Sequence, residues 1–439
     1  MPVKELDQTL NEFLAPVTEL LPEERLRRVV AQAVRGILAQ ETPVIAAMAQ
    51  SISRQEMDCW AAAKRLYRFV DNKRFSHHQL YKGMYRVAQR TVREEHPEYL
   101  VVALDPVNFE KPYTKKLEGV STVHKSTPPD LNGEARLVRG YPAMTATVVN
   151  MRVPAISYAQ WFSYKTADFL SQNREIQRSI RTTRWVFPDQ KLRFVMDSGG
   201  DDQKLFDFLQ PDEFVITATH WERLVQVYNE RLKRWETEHL GDLVDCVPWR
   251  MTFQAAFHHA GRTRLAKIKM GWFQIRLPDS KQKLWVLVAE DDLEKRTLVL
   301  LTNISIRKHA TAQAIYQDWR LRGRIEHGYR FDQEQGLDVE DVRVHTLERM
   351  RRNALRPFRV FALVLLAAQF VFHLNQHWPP KAVLWLRKLG GKLGLPTDRN
   401  GSYILLRGLS AVYQTVATLS WTILQPFPHH LFQQKAGYG

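Results

Sequence analysis

After Pro97 the apolar residues of this chain change their period, and that change constrains the fold more than any other feature of the sequence. Ahead of it, "RLRRVVAQAVRGILAQ", "TPVIAAMAQSI" and "CWAAAKRLYRFV" place apolar residues at helical spacing, with Thr42-Pro43 and Ser53 as breaks. Behind it, "YLVVALD", "LRFVMD" and "EFVITAT" are short apolar runs of the kind that make buried strands. "AMTATVVN" and "AISYAQWFS", joined by "MRVP", read as a hairpin. A helical start followed by strands that alternate with helices predicts a mixed α/β protein.

A chain of 439 residues is too long for one ordinary core, so two to four structural units are expected. The pattern divides into a helical unit over 1–97, the first part of an α/β core over 98–219, a β-rich insertion over 220–302, the second part of the core over 303–376, and a helical C-terminal region over 377–439. The insertion opens with the charged segment "WERLVQVYNERLKRWETEH" and continues through "KIKMGWFQIRLP", "KLWVLVAE" and "TLVLLTN". The longest apolar stretch, Val360 to Leu374, is interrupted by Gln369 and His373, and it reads as a buried helix.

Two acidic residues end buried-strand runs: Asp105 closes "YLVVALD" and Asp197 closes "LRFVMD". A third lies in "YQDWRLRGRIEHGYRFDQEQGLDV", where Trp319, Arg322, Glu326, Arg330 and Gln333 recur every three or four residues. At about 100° per residue these side chains share one helical face, with a carboxylate between guanidiniums. Asp105, Asp197 and Glu326 together offer hard oxygen donors of the kind Mg²⁺ prefers. Two such ions, with Mn²⁺ as a substitute, can activate one oxygen and stabilise a leaving one in phosphoryl transfer.

The charge balance points the same way. Against 47 Asp plus Glu stand 63 Lys plus Arg, a formal net charge of +16 that favours a polyanionic partner, nucleic acid first. Arg174, Arg178, Arg181 and Arg184 form a stripe at helical spacing beside the strand that ends at Asp197. Lys64, Arg65 and Arg68 surround Tyr67 on the helix that begins near Trp60, an interleaving suited to DNA contacts. Cys59 and Cys246 are the only cysteines, which excludes a disulfide framework or a closed Cys-based zinc site and fits a reducing cytoplasm. No P-loop order of glycines is present, which argues against nucleotide hydrolysis.

At its third acidic residue the chain resembles the DDE transposases of bacterial insertion sequences, in the group named insertion sequence family four. That group carries Tyr-x-x-Arg-x-x-x-Glu-x-x-x-x-x-x-Lys; here the frame supplies Trp319, Arg322, Glu326 and Gln333, so Arg and Glu match while Tyr and Lys do not. The resemblance implies a ribonuclease H-like catalytic core interrupted by the β-rich insertion, an N-terminal helical DNA-binding domain and a helical C-terminal region. It implies Asp105, Asp197 and Glu326 as catalytic metal ligands, and double-stranded DNA, as terminal inverted repeats and target, for the partner. Trp319, Arg322 and Arg330 would contact that DNA together with Lys64, Arg65, Arg68, Arg174, Arg178 and Arg181. The expected activity is cut-and-paste transposition through nicking, hairpin formation and strand transfer by a homodimer, in a bacterial cytoplasm and without a membrane. Two alternatives stay open: a ribonuclease H-like nuclease that does not join strands, and a domesticated DNA-binding protein without catalysis.

Overall fold

The computed structural model describes residues 2–56, 58–72, 74–111, 120–124, 136–165, 169–210, 212–259, 262–278, 282–293, 297–332, 336–337, 356–391 and 401–418. The chain is a mixed α/β protein built on one large mixed sheet with a helical body beside it.

The opening helices are α1 (Pro2–Thr18), α2 (Glu24–Gln40), α3 (Ile45–Glu56), α4 (Cys59–Val70) and α5 (His77–Glu95). Their ends follow from local chemistry. Asp58 accepts from the Trp60 N–H at the start of α4, and Ser76 with Gln79 forms a capping box at the start of α5. His96 ends α5 at a φ of 47°, and Pro97 prevents the helix from continuing.

The sheet begins with β1 (Leu100–Glu110), β2 (Ser121–His124), β3 (Leu137–Val148) and β4 (Ala155–Trp161), and the expected hairpin is the β3–β4 pair. Next come α6 (Gln172–Val186), β5 (Leu192–Met196), a 3₁₀ turn at Ser198–Gly200, α7 (Gln203–Leu209) and β6 (Glu213–Thr217). Asp202 caps α7, whereas Asp201 is buried and pairs with Arg223 at 2.5 Å. Spatially these strands run β2-β3-β1-β5-β6, with β4 also on β3; β3 is antiparallel to β1, β2 and β4, and β1, β5 and β6 are parallel. Every residue of β5 is buried, as expected for a parallel strand covered on both faces.

The β-rich segment does not stand apart as a separate sheet. It contributes β7 (Leu224–Asn229), β8 (Arg234–His239), the short helix α8 (Leu240–Asp245), β9 (Trp249–His259), β10 (Arg262–Arg276), β11 (Lys283–Asp291) and β12 (Thr297–Thr302). β12 pairs antiparallel with β6, so the core sheet continues through β12-β11-β10 to the β7–β8 hairpin, with β9 also on β10. The charged opening of this segment is therefore a strand pair. Its mixed sequence hid the alternation because β8 is largely exposed and β7 buries only Val225.

α9 (His309–Arg320) and α10 (Gly323–Asp332) follow, and α11 (Arg356–His377), α12 (Pro380–Gly390) and α13 (Gly401–Thr418) complete the described chain. Among the described residues α11 alone is long and apolar enough to cross a membrane by composition, and 72% of its apolar window is buried inside the molecule. It packs between α2, α5 and the sheet, and Phe13 of α1 meets Phe370 at 5.5 Å. Buried Arg359 donates to the carbonyls of Val70 at 2.7 Å and Phe75 at 2.8 Å. Ser410 of α13 donates to the Ala39 carbonyl at 2.7 Å. The C-terminal helices thus share a core with the N-terminal ones. α12 and α13 cross closely at Gly390 and Gly408, where any side chain would strike the other helix's backbone.

Candidate active site

The register of the parallel pair β1–β5 brings the first two acids together. Ala103 lies level with Val195, so two residues further along each chain Asp105 and Asp197 reach the same level and point to the same face. Asp105 remains within β1 and is only 9% exposed. Asp197 has just left β5; its Oδ1 accepts from the Gly199 N–H at 2.9 Å and holds the 3₁₀ turn.

Glu326 comes from the first turn of α10, and Arg322, in the junction before it, donates from Nη2 to Glu326 Oε1 at 2.7 Å. Three side chains act on Asp105. Burial raises its carboxyl pKa to about 7, the charges of Asp197 and Glu326 push in the same direction, and Arg322 opposes them. Three carboxylates and one guanidinium therefore converge at the carboxyl-terminal end of β5.

Two sets of anchors hold this arrangement. Arg193 of β5 is buried; it donates from Nε to Glu213 of β6 at 2.8 Å and from Nη1 to Asp318 of α9, and its guanidinium lies 4.3 Å from the Tyr99 ring centroid. Trp319 Nε1 donates to Thr217 Oγ1 of β6 at 3.0 Å, which fixes the end of α9. Arg324 fastens α10 elsewhere, donating to the carbonyls of Val149, Met151 at 2.6 Å and Arg152 at 3.2 Å in the β3–β4 turn.

These anchors explain a departure from the sequence reading. The spacing of Trp319, Arg322, Glu326, Arg330 and Gln333 predicts one continuous helical face, but the helix is broken at Leu321–Arg322. α9 is tied to the sheet and α10 to the hairpin turn, and Gly323 opens the second helix. Trp319 consequently belongs to the packing, with its N–H committed to Thr217. Arg330 lies in the later part of α10, while Gln333 is outside the described residues.

The other basic candidates lie on α4 and α6. On α6, Arg174, Arg178 and Arg181 are exposed; Arg178 pairs with buried Glu175 at 2.9 Å, and Arg184 is tied to Asp212 at 2.6 Å. On α4, Lys64 and Arg68 are exposed, but Arg65 turns inward to the Gln32 Oε1 at 3.1 Å. Sequence reasoning did not single out Trp185, 61% exposed at the end of the α6 stripe, or the exposure of Trp60, whose ring sits 5.0 Å from Lys64 Nζ. Periodicity could have suggested both aromatics, but exposure depends on tertiary packing. Lys111, six residues after Asp105, is buried beside the Trp161 ring.

The donor set suits a hard divalent cation: it is all carboxylate, and the pKa of one member, Asp105, is raised to about 7 by burial first and then by the charge of Asp197. Among the described residues no three His, Cys, Asp or Glu side chains close into a coordination cage. Glu326 is engaged by Arg322 and Asp197 by Gly199.

No family model and no curated protein matches this chain. Among solved structures it is similar to a piggyBac transposase, seen by cryo-EM in a synaptic complex with hairpin DNA. That likeness has 7% identity and a TM-score of 0.38, and covers 98% of this chain and 81% of the other.

Proposed function

We propose that this chain is a DNA transposase that cuts and rejoins phosphodiesters at a site made of Asp105, Asp197, Glu326 and Arg322. The observation that carries the proposal is the convergence of these four residues from β1, β5 and the α9–α10 junction. The β3–β4 hairpin beside the parallel strands β1, β5 and β6 supports it, since a strand and hairpin followed by alternating helix and strand is the order the resemblance implies for a ribonuclease H-like core. The +16 charge supports a DNA substrate.

Divalent ions held by Asp105, Asp197 and Glu326 would supply activation of the attacking oxygen and stabilisation of the leaving one. The chain's own groups do the rest. Asp105 and Asp197 are set side by side by strand register, and Asp105, whose pKa burial raises to about 7, would serve such an ion as a carboxylate. Arg322 holds the Glu326 carboxylate in place and presents its remaining N–H groups to a phosphate oxygen. Water as nucleophile gives nicking and a DNA 3′-hydroxyl gives joining, because both are in-line displacements at the same centre. Exposed cations on α4 and α6 hold the duplex.

The test is a strand-transfer assay on labelled terminal-repeat DNA with Mg²⁺ and with chelator, using wild-type protein and Asp197→Asn. Metal-dependent joining that is lost in the variant is the expected result. Cutting without joining would leave a nuclease, and tight DNA binding with neither reaction would leave a binding protein, the outcome that the Trp319 and Gln333 departures favour most.

A further inference from the structure

Some distance from the acids, at the other end of α9, lies a cavity of about 740 Å³. Its floor is apolar. Trp272 of β10, Trp285 of β11 and Ile306, in the segment that leads into α9, form it; Trp272 and Ile306 are buried and Trp285 is partly open.

Its walls are cationic. Arg250, Arg307, Lys308 and His309 line it, all exposed, and no acidic residue does. Each is placed by something specific. Met251 pairs with Met270 and Trp249 with Gly271, so Arg250 is the extra residue of a β-bulge. Bulges redirect a side chain, and here Arg250 is carried over the Trp272 ring at 5.5 Å, with its Nε donating to the Trp272 carbonyl at 3.1 Å. Burial of Ile306 fixes the segment, which leaves its neighbours Arg307 and Lys308 at the mouth. His309 meets the edge of Trp272 at 5.6 Å.

We propose that this cavity is a nucleotide-binding subsite: the phosphate is held by Arg250, Arg307 and Lys308, and the base packs against Trp285 and His309. The volume is far more than a bare phosphate needs and lies within the range of sites for molecules of nucleotide size, about 300–1,000 Å³. A planar guanidinium beside indole rings suits an aromatic anion better than a simple one. The site is not the acidic one. The twelve residues of α9 separate His309 from the junction that carries Arg322, a length of about 18 Å. The nucleotide could be one unit of a DNA strand or a free mononucleotide; the chemistry is the same.

The inference is independent of the transposase reading, and its test is built to remain so. The full-length Glu326→Gln protein is titrated in EDTA with adenosine 5′-monophosphate and, separately, with inorganic phosphate, by calorimetry. The same titrations follow in Arg307→Glu and in Trp285→Leu. Arg307 is exposed, so its variant folds even where the Trp285 variant does not. The mononucleotide is expected to bind more tightly than phosphate and to lose about tenfold or more in affinity in the Arg307 variant, the effect of removing one charge-assisted contact. Competition by a short single-stranded oligothymidylate would assign the nucleotide to a DNA strand; mononucleotide binding without competition would assign it to a free ligand. Equal affinity for phosphate, no binding of the mononucleotide, or binding indifferent to Arg307→Glu would overturn the proposal.

Discussion

Asp105 is costly to the fold. Burial raises its carboxyl pKa to about 7, the charges of Asp197 and Glu326 add to the rise, and Arg322 works against them. Such strain is common where function demands a charge that stability does not. Asp105→Asn keeps the shape and removes the charge, so in EDTA at neutral pH the variant should melt higher than wild type while cleaving no DNA. A melting temperature equal to or below that of wild type would show that Asp105 is not held against its neighbours' charges. The candidacy of Asp105, Asp197 and Glu326 was legible in the sequence because each follows a recognisable element. Trp319 shows the limit of such reading. Its spacing placed it on the stripe, but spacing does not reveal that Thr217, over a hundred residues away in sequence, takes its indole proton.

Among the elements, α10 depends most on one contact set. Arg324 donates to the carbonyls of the β3–β4 turn, and burial pushes its pKa down, so those bonds must offset the cost of enclosing its charge. Arg324→Ala should cost about 1–3 kcal/mol in stability and should lower the rate of cleavage more than DNA affinity, because α10 carries Glu326 while the exposed cations of α4 and α6 hold the DNA. Measuring both by denaturant unfolding and by single-turnover cleavage separates the two effects. An equal loss in binding and rate would mean that α10 acts on the DNA directly. The helical pattern around residue 320 was readable from the sequence, but the break in it was not. The break comes from two anchors that pull on different parts of the sheet, and Gly323 alone is a weak signal.

The helical body has its own sensitivity to acid. Burial, aided by His78 and Arg359, lowers the pKa of His77 to about 4; burial, aided by His377 and Arg90, does the same for His373. In the unfolded chain a histidine takes its proton near pH 6.5, about two units higher. The folded state therefore binds fewer protons than the unfolded one between those values, and stability falls as pH drops through that window and levels off below it. His373→Leu should flatten the melting temperature against pH from about 6.5 to 4. A profile as steep as that of wild type would show that His373 is solvated.

At the scale of the whole molecule, the helices at the two ends of the chain form one body, and the sheet is continuous from β4 through β6 to the β-rich segment. Neither is legible in the sequence, since both rest on contacts between residues far apart in the chain. Their consequence is that the exposed cations of α4 and α6 are carried by elements packed on a common scaffold: α5 and α6 both meet β4, and α4 joins the helical body through α2 and α3. If both surfaces hold one duplex, each should contribute to the salt dependence of binding. Lys64→Ala with Arg68→Ala, and separately Arg174→Ala with Arg181→Ala, should each weaken DNA binding with little regard to sequence. Each cation that touches a phosphate should, when removed, reduce the slope of log affinity against log salt by about one. The two pairs lie on separate helices, so the four-fold variant should lose the sum of the two losses in free energy. A four-fold variant no weaker than the α4 pair would place the duplex on the helical body alone and leave the α6 stripe as a solvated face.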